Sequence, residues 1–100
     1  MEKNKLISVV IPAYNHERFI GPAIDSVLGQ TWEHLELIVI DDGSTDGTAK
    51  VVQGYTDARL SYYYQENQDA YNTINRGLGL AQGDYIAILN SDDMLSLIHI

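Results

Sequence analysis

Two pairs of adjacent aspartates stand out chemically in this sequence: Asp41-Asp42, within LIVIDDGSTDG, and Asp92-Asp93, within AILNSDD. A third cluster, Pro12-Ala13-Tyr14-Asn15, comes earlier, and each of the three follows an apolar run without delay. Carboxylates converging on one crevice repel each other and lose hydration unless a partner compensates them. A divalent cation is one such partner, since oxygen ligands suit Mg²⁺ or Mn²⁺ bridging carboxylates to substrate phosphates. Asp92 and Asp93 fit that role. A ligand rich in donors is another, and Asp42 can accept from a base ring N–H or from ribose hydroxyls. Tyr14 can stack on a base or cover the sheet end; Asn15 can bond backbone or sugar. Asp41 has a second reading as a turn former. Asp92 and Asp93 likewise suit a helix N-terminus.

These clusters meet only if the elements before them deliver them to one edge. LISVVIP, residues 6–12, is a β-branched apolar run of the kind found in strands covered on both faces. From Glu17 to Leu28 the apolar residues recur at helical spacing, and Pro22 requires the helix to start near Ile20 or Gly21. LELIVI, residues 35–40, predicts a second strand. STDGTAKVVQGY predicts a helix with Ser44 or Thr45 at its N-cap and Asp46 in the first turn. LSYYYQ, residues 60–65, predicts a third strand. Ala70, Ile74, Leu78 and Ala81 fall on one helical stripe, Gly83 stands as a stop, and YIAILN predicts a fourth strand over 85–90. The order β-α-β-α-β-α-β describes an open, mostly parallel, Rossmann-like α/β sheet. In such sheets ligands bind beyond the strands' carboxyl ends, where strand order reverses.

Composition narrows the function classes. Fourteen acidic and six basic side chains give 100 residues a net charge of -8, with no basic stripe for a nucleic-acid backbone. A chain without cysteine has no disulfide, thiolate metal site or cysteine nucleophile. The N-terminal apolar run is too short for a signal peptide or membrane span, so the expected location is cytoplasmic. Pro12-Ala13-Tyr14-Asn15 stands where a dinucleotide fold would carry G-x-G-x-x-G. His16 reads as a turn residue, His34 and Arg76 as exposed, and one face of Tyr62-Tyr63-Tyr64 as packing.

The segments P-x-Y-N, S-V-L-x-Q-T, V-I-D-D-G-S-T-D-G-T and G-x-Y-I-x-x-L-x-x-D-D occur here in one order over residues 6–94. Together they closely resemble the N-terminal half of the family 2 glycosyltransferases, which have the glycosyltransferase A fold. The resemblance implies sugar transfer from a nucleotide-diphosphate donor, a UDP-, GDP- or dTDP-sugar, to a glycan or lipid acceptor, with Mg²⁺ or Mn²⁺ on the diphosphate. It places Pro12, Tyr14, Asn15, Asp42, Asn90 and Ser91 at the nucleotide and Asp92 and Asp93 at the metal. Three positions depart from the pattern. Asn90 replaces an aspartate common in D-x-D, Asp69 replaces a glycine, and Ile74 replaces an arginine of some members.

In the family, the acceptor site and catalytic base lie beyond the D-x-D segment. Residues 1–94 therefore read as the donor-binding part of an incomplete glycosyltransferase A fold, inactive alone, with apolar sheet surface left exposed. LSLIHI, residues 95–100, has no cap or period and resembles a translated transposon end, so it reads as a non-native tail. Resequencing the gene across codon 95 tests that reading. The alternative function is a nucleotide- or metal-binding α/β module without transferase activity.

Overall fold

The computed structural model describes residues 5–30, 34–67 and 69–89. Four strands and three helices alternate: β1 Ile7–Ala13, α1 Ile20–Leu28, β2 Leu35–Asp42, α2 Thr48–Gln53, β3 Leu60–Gln65, α3 Ala70–Leu80 and β4 Tyr85–Ile88. The strands pair in parallel in the order β3-β2-β1-β4. Strand order thus reverses at β1, as the sequence-based expectation of a doubly wound sheet requires.

Period-two alternation sorts the strand side chains between two layers. Ile7, Val9, Ile11 and Ala13 of β1, with Leu35, Leu37 and Val39 of β2, pack under Ile20, Ala23, Ile24 and Val27 of α1 and Val52 of α2. Val10, Ile38 and Ile40 face the other way, toward Leu80 and Ala81 at the end of α3. The face change follows from direction. Parallel crossovers are right-handed, so reversing the progression from β3 back to β4 moves the helix across the sheet.

Two helices differ from expectation. The predicted N-cap of α2, Ser44 or Thr45, is held elsewhere by the β1–α1 loop, and the helix starts at Thr48 with Gly47 as N-cap. Asp46 precedes the helix, and its Oδ1 accepts from the Thr48 N–H (3.0 Å) and hydroxyl (2.5 Å). In α3 the buried face carries Thr73 and Gly77, whereas Leu78 of the predicted stripe is 39% exposed. A Cβ on Gly77 would collide with Val10 Cγ1, so the glycine lets the helix close on β1 and β2. Asp69, the departure from glycine, caps α3: its Oδ1 accepts from the Asn72 N–H at 2.7 Å.

Helix α1 starts at Ile20, so Pro22 falls in the first turn, where its missing donor has no acceptor to lose. At the amino edge of the sheet, Gly83 N–H donates to Ser8 Oγ (2.8 Å) and Gln82 N–H to Glu36 Oε2 (2.7 Å), steering the chain into β4. The strand ends at Ile88, earlier than predicted, with buried Leu89 donating its N–H to Val10 O at 2.9 Å. Tyr85, Ile86 and Ile88 of β4 are each 45–46% exposed.

Candidate functional site

The site is built from the loops leaving β1 and β2. Ala13, the last residue of β1, is the register partner of Asp41, so Tyr14 and Asn15 leave the sheet beside Asp42 and Gly43. Asn15 takes a left-handed conformation (φ 52°) and makes a reciprocal clamp with the opposite loop. Its N–H donates to Ser44 Oγ (2.9 Å), and its Oδ1 accepts from the Thr45 N–H (2.8 Å). His16 N–H donates to Thr48 Oγ1 (3.1 Å) and Glu17 N–H to Asp46 Oδ2 (3.3 Å). The clamp explains why Ser44 and Thr45 do not cap α2. Beside it, Asn15, His16, Glu17, Arg18, Phe19 and Asp46 line a depression of about 190 Å³.

The carboxylates of Asp41 and Asp42 separate. Asp41 is fully buried on the α1–α2 face, where Oδ1 accepts from the Ser44 N–H (2.9 Å) and Oδ2 from the Tyr62 hydroxyl (2.7 Å). Burial, then the hydrogen bond to Asp41, drives the Tyr62 phenol well above its ordinary value, so it remains a donor. Asp41 is the turn and packing residue that one of its two readings proposed. Asp42, 7% exposed, points to the α3 face, and its Oδ1 accepts from Gln65 Nε2 at 2.9 Å. Its main-chain oxygen accepts from Asn67 Nδ2 at 3.2 Å. Gly43 follows with φ 83°, and a Cβ there would lie 2.8 Å from the Asn67 nitrogen, so only glycine fits this turn.

Around this frame, Pro12 is half-buried at the end of β1, while Tyr14 is 46% exposed and free of the core. Asn90, Ser91, Asp92 and Asp93 lie outside the described residues. Among the described residues, no three His, Asp or Glu side chains gather to hold a metal ion. Both Asp41 oxygens are occupied by protein donors.

Three residues escaped the sequence reading. Gln65 and Thr73 are buried polar groups beside Asp42, and Tyr62 is the partner of Asp41. Arg76, read as a solvated charge, donates from Nη1 to Gln65 Oε1 (2.9 Å) and stands 5.6 Å from the Tyr63 ring centroid. Their one signal in the sequence was position: Gln65 ends its strand just as Asp42 ends the neighbouring one. His16 behaves as the turn residue expected, its main-chain oxygen accepting from Phe19 and Ile20, and His34 is exposed.

An open, all-parallel α/β sheet whose strand order reverses at β1 belongs to the doubly wound class of α/β folds, whose ligands bind beyond the carboxyl edge of the sheet. The sequence matches the family described as Glycosyl transferase family 2 over residues 8–97, and the chain belongs to that family. The putative teichuronic acid biosynthesis glycosyltransferase TuaG of Bacillus subtilis (strain 168) is 44% identical over 91 residues, 88% of this chain and 36% of the relative. The 1–349 piece of S. aureus TarS in complex with UDP superposes with a TM-score of 0.83 at 30% identity, covering 89% of this chain and 28% of that one. The mannosyltransferase PcManGT from Pyrobaculum calidifontis, in complex with GDP-Man and Mn²⁺, gives 0.82 at 25% identity, covering 93% of this chain and 30% of that one. The sheet is thus part of a glycosyltransferase A fold. The chain spans about a third of the length of these relatives.

Proposed function

We propose that the whole protein transfers a sugar from a nucleotide-diphosphate donor to a hydroxyl acceptor, and that this chain supplies much of the donor site. The carrying observation is the pair of clamped loops beyond β1 and β2, beside which Asp42, its carboxylate bonded to Gln65, and the exposed Tyr14 stand at one edge of the sheet. In this reading Asp42 accepts from the base or ribose, Tyr14 stacks on the base, and Pro12 and Asn15 shape the pocket wall. Asn90 and Ser91 complete the nucleotide contacts, and Asp92 and Asp93 hold the metal. A bound Mg²⁺ or Mn²⁺ offsets charge developing on the departing nucleoside diphosphate.

Solved neighbours carrying UDP, or GDP-Man with Mn²⁺, support a nucleotide-sugar donor and a divalent metal. We assign the glycan or lipid acceptor and the general base to the part of the relatives that this chain does not match. No helix among the described residues is long and apolar enough to cross a membrane. We place the donor site in the cytoplasm.

The test is titration of the full-length protein with UDP, GDP and dTDP, with and without Mn²⁺. Metal-dependent binding that Asp92→Ala abolishes and Asp42→Ala weakens is the expected result. Metal-independent binding indifferent to both substitutions ends the proposal. Sugar transfer to an acceptor then separates an enzyme from a non-catalytic binding module.

A further inference from the structure

Gln65 is the register partner of Asp42 across β2 and β3, and its side chain is 7% exposed. Nε2 donates to Asp42 Oδ1 (2.9 Å) and Thr73 Oγ1 (3.1 Å), while Oε1 accepts from Arg76 Nη1 (2.9 Å). The sense of the amide is dictated by its neighbours. The Thr73 hydroxyl gives its proton to the Asp69 main-chain oxygen at 2.8 Å, so toward Gln65 it only accepts. A guanidinium only donates. Flipping the amide would set its oxygen against the Asp42 carboxylate and its NH₂ against Arg76, losing all three contacts. Arg76 is itself steadied above the Tyr63 ring.

We propose that Gln65 is a positioning residue for the nucleoside-binding carboxylate of Asp42, and that Arg76 fixes the sense in which Gln65 presents its amide. The inference rests on the nucleoside-contact reading of Asp42 above. A carboxylate held on one oxygen by a donor that cannot rotate is oriented before the nucleotide arrives, which removes an ordering cost from binding. This chain therefore gives Arg76 a task at the donor site although it carries Ile74 four positions after Ala70.

The experiment is a calorimetric titration of the full-length protein with UDP and GDP in Mn²⁺. Gln65→Met weakens the better nucleotide about tenfold, as loss of a hydrogen bond to a charged group does. Asp42→Asn weakens it also, and the double variant is no weaker than Asp42→Asn alone, because Gln65 acts only through Asp42. Arg76→Met weakens it about threefold, a partial loss of the same positioning, and Arg76→Lys restores it. Pyrophosphate affinity is unchanged by Gln65→Met, whereas general damage to the fold would lower it. In the unmutated protein, the Gln65 side-chain amide resonances move when UDP is added.

Additive losses in the double variant, or Gln65 resonances that stay still while those of Asp42 move, overturn the proposal. So does unchanged nucleotide affinity in Gln65→Met when Asp42→Asn weakens binding, and the reading of Asp42 then survives. Unchanged affinity in Asp42→Asn overturns both.

Discussion

Asp41 and Asp42 are neighbours in the chain, yet their carboxylates lie on opposite faces of the sheet, one against Tyr62 and the other against Gln65. The pair is therefore not a paired-carboxylate site. Asp41 holds the turn and the α1–α2 layer, and Asp42 is the one turned toward the α3 side. Their variants should part accordingly.

Tyr62→Phe leaves Asp41 Oδ2 buried without its hydroxyl donor, and should destabilise the fold by about 1–3 kcal/mol. Urea unfolding measures the loss. Nucleotide affinity of the folded fraction should not change, since Asp41 faces away from the Asp42 network.

The two glycines of α3, Gly77 and Gly79, should respond in opposite senses to alanine. A Cβ on Gly77 meets Val10 and Ile40, so Gly77→Ala should cost about 1–3 kcal/mol by overpacking. Nothing lies within 4 Å of a Cβ on Gly79. Gly79→Ala should stabilise by up to about 1 kcal/mol through helix propensity. Thermal melts of both variants decide it, and a stabilised Gly77→Ala would refute the close approach of α3.

Stability should show an acid limb to which Asp57 contributes. Its hydrogen bonds from Arg59, first from the side chain and then from the backbone, hold its carboxyl at about 2, below the ordinary 3.8. Arg59 in turn donates from Nη2 to Leu28 O at 3.1 Å, tying the β3 approach to the end of α1. A depressed carboxyl contributes stability above the unfolded value and loses it as pH falls from about 3.8 through about 2. Asp57→Asn should flatten that limb in chemical-denaturation midpoints measured against pH.

At the alkaline end the sign reverses. Burial, then the hydrogen bond to Asp25, raises the Tyr55 phenol from 10.0 to about 12. The native state keeps this proton longer than the unfolded chain, so its contribution is whole below pH 10 and fades toward pH 12. Tyr55→Phe should reduce the decline, with Tyr62, shifted in the same direction, accounting for part of the remainder.

Chelation should divide the ligand into its two halves. Removing Mn²⁺ with EDTA is expected to lower nucleoside diphosphate affinity more than about tenfold while leaving nucleoside affinity unchanged, because in the proposed site the metal engages the diphosphate. Equal losses for both would place the metal at the base or ribose instead. Calorimetry with UDP and uridine reads the difference.

The sequence by itself determined the alternation of strands and helices, their parallel sense and the polar clusters at the strand ends. Those features are local: β-branched apolar runs such as LELIVI, helical spacing after Glu17, and Gly43 after two aspartates are set by backbone sterics and burial. The family motifs were equally local. Tertiary structure decided which of two adjacent carboxylates served the core, because that depends on which strand neighbours supply a hydroxyl or an amide. It also decided the inward face of α3, where counting apolar residues favoured Leu78 over Gly77. Helix-to-sheet distance, which no hydrophobic period encodes, made the missing side chain the one that packs. The Arg76–Gln65–Asp42 chain likewise spans 34 residue positions and exists only through the β2–β3 register and the seating of α3.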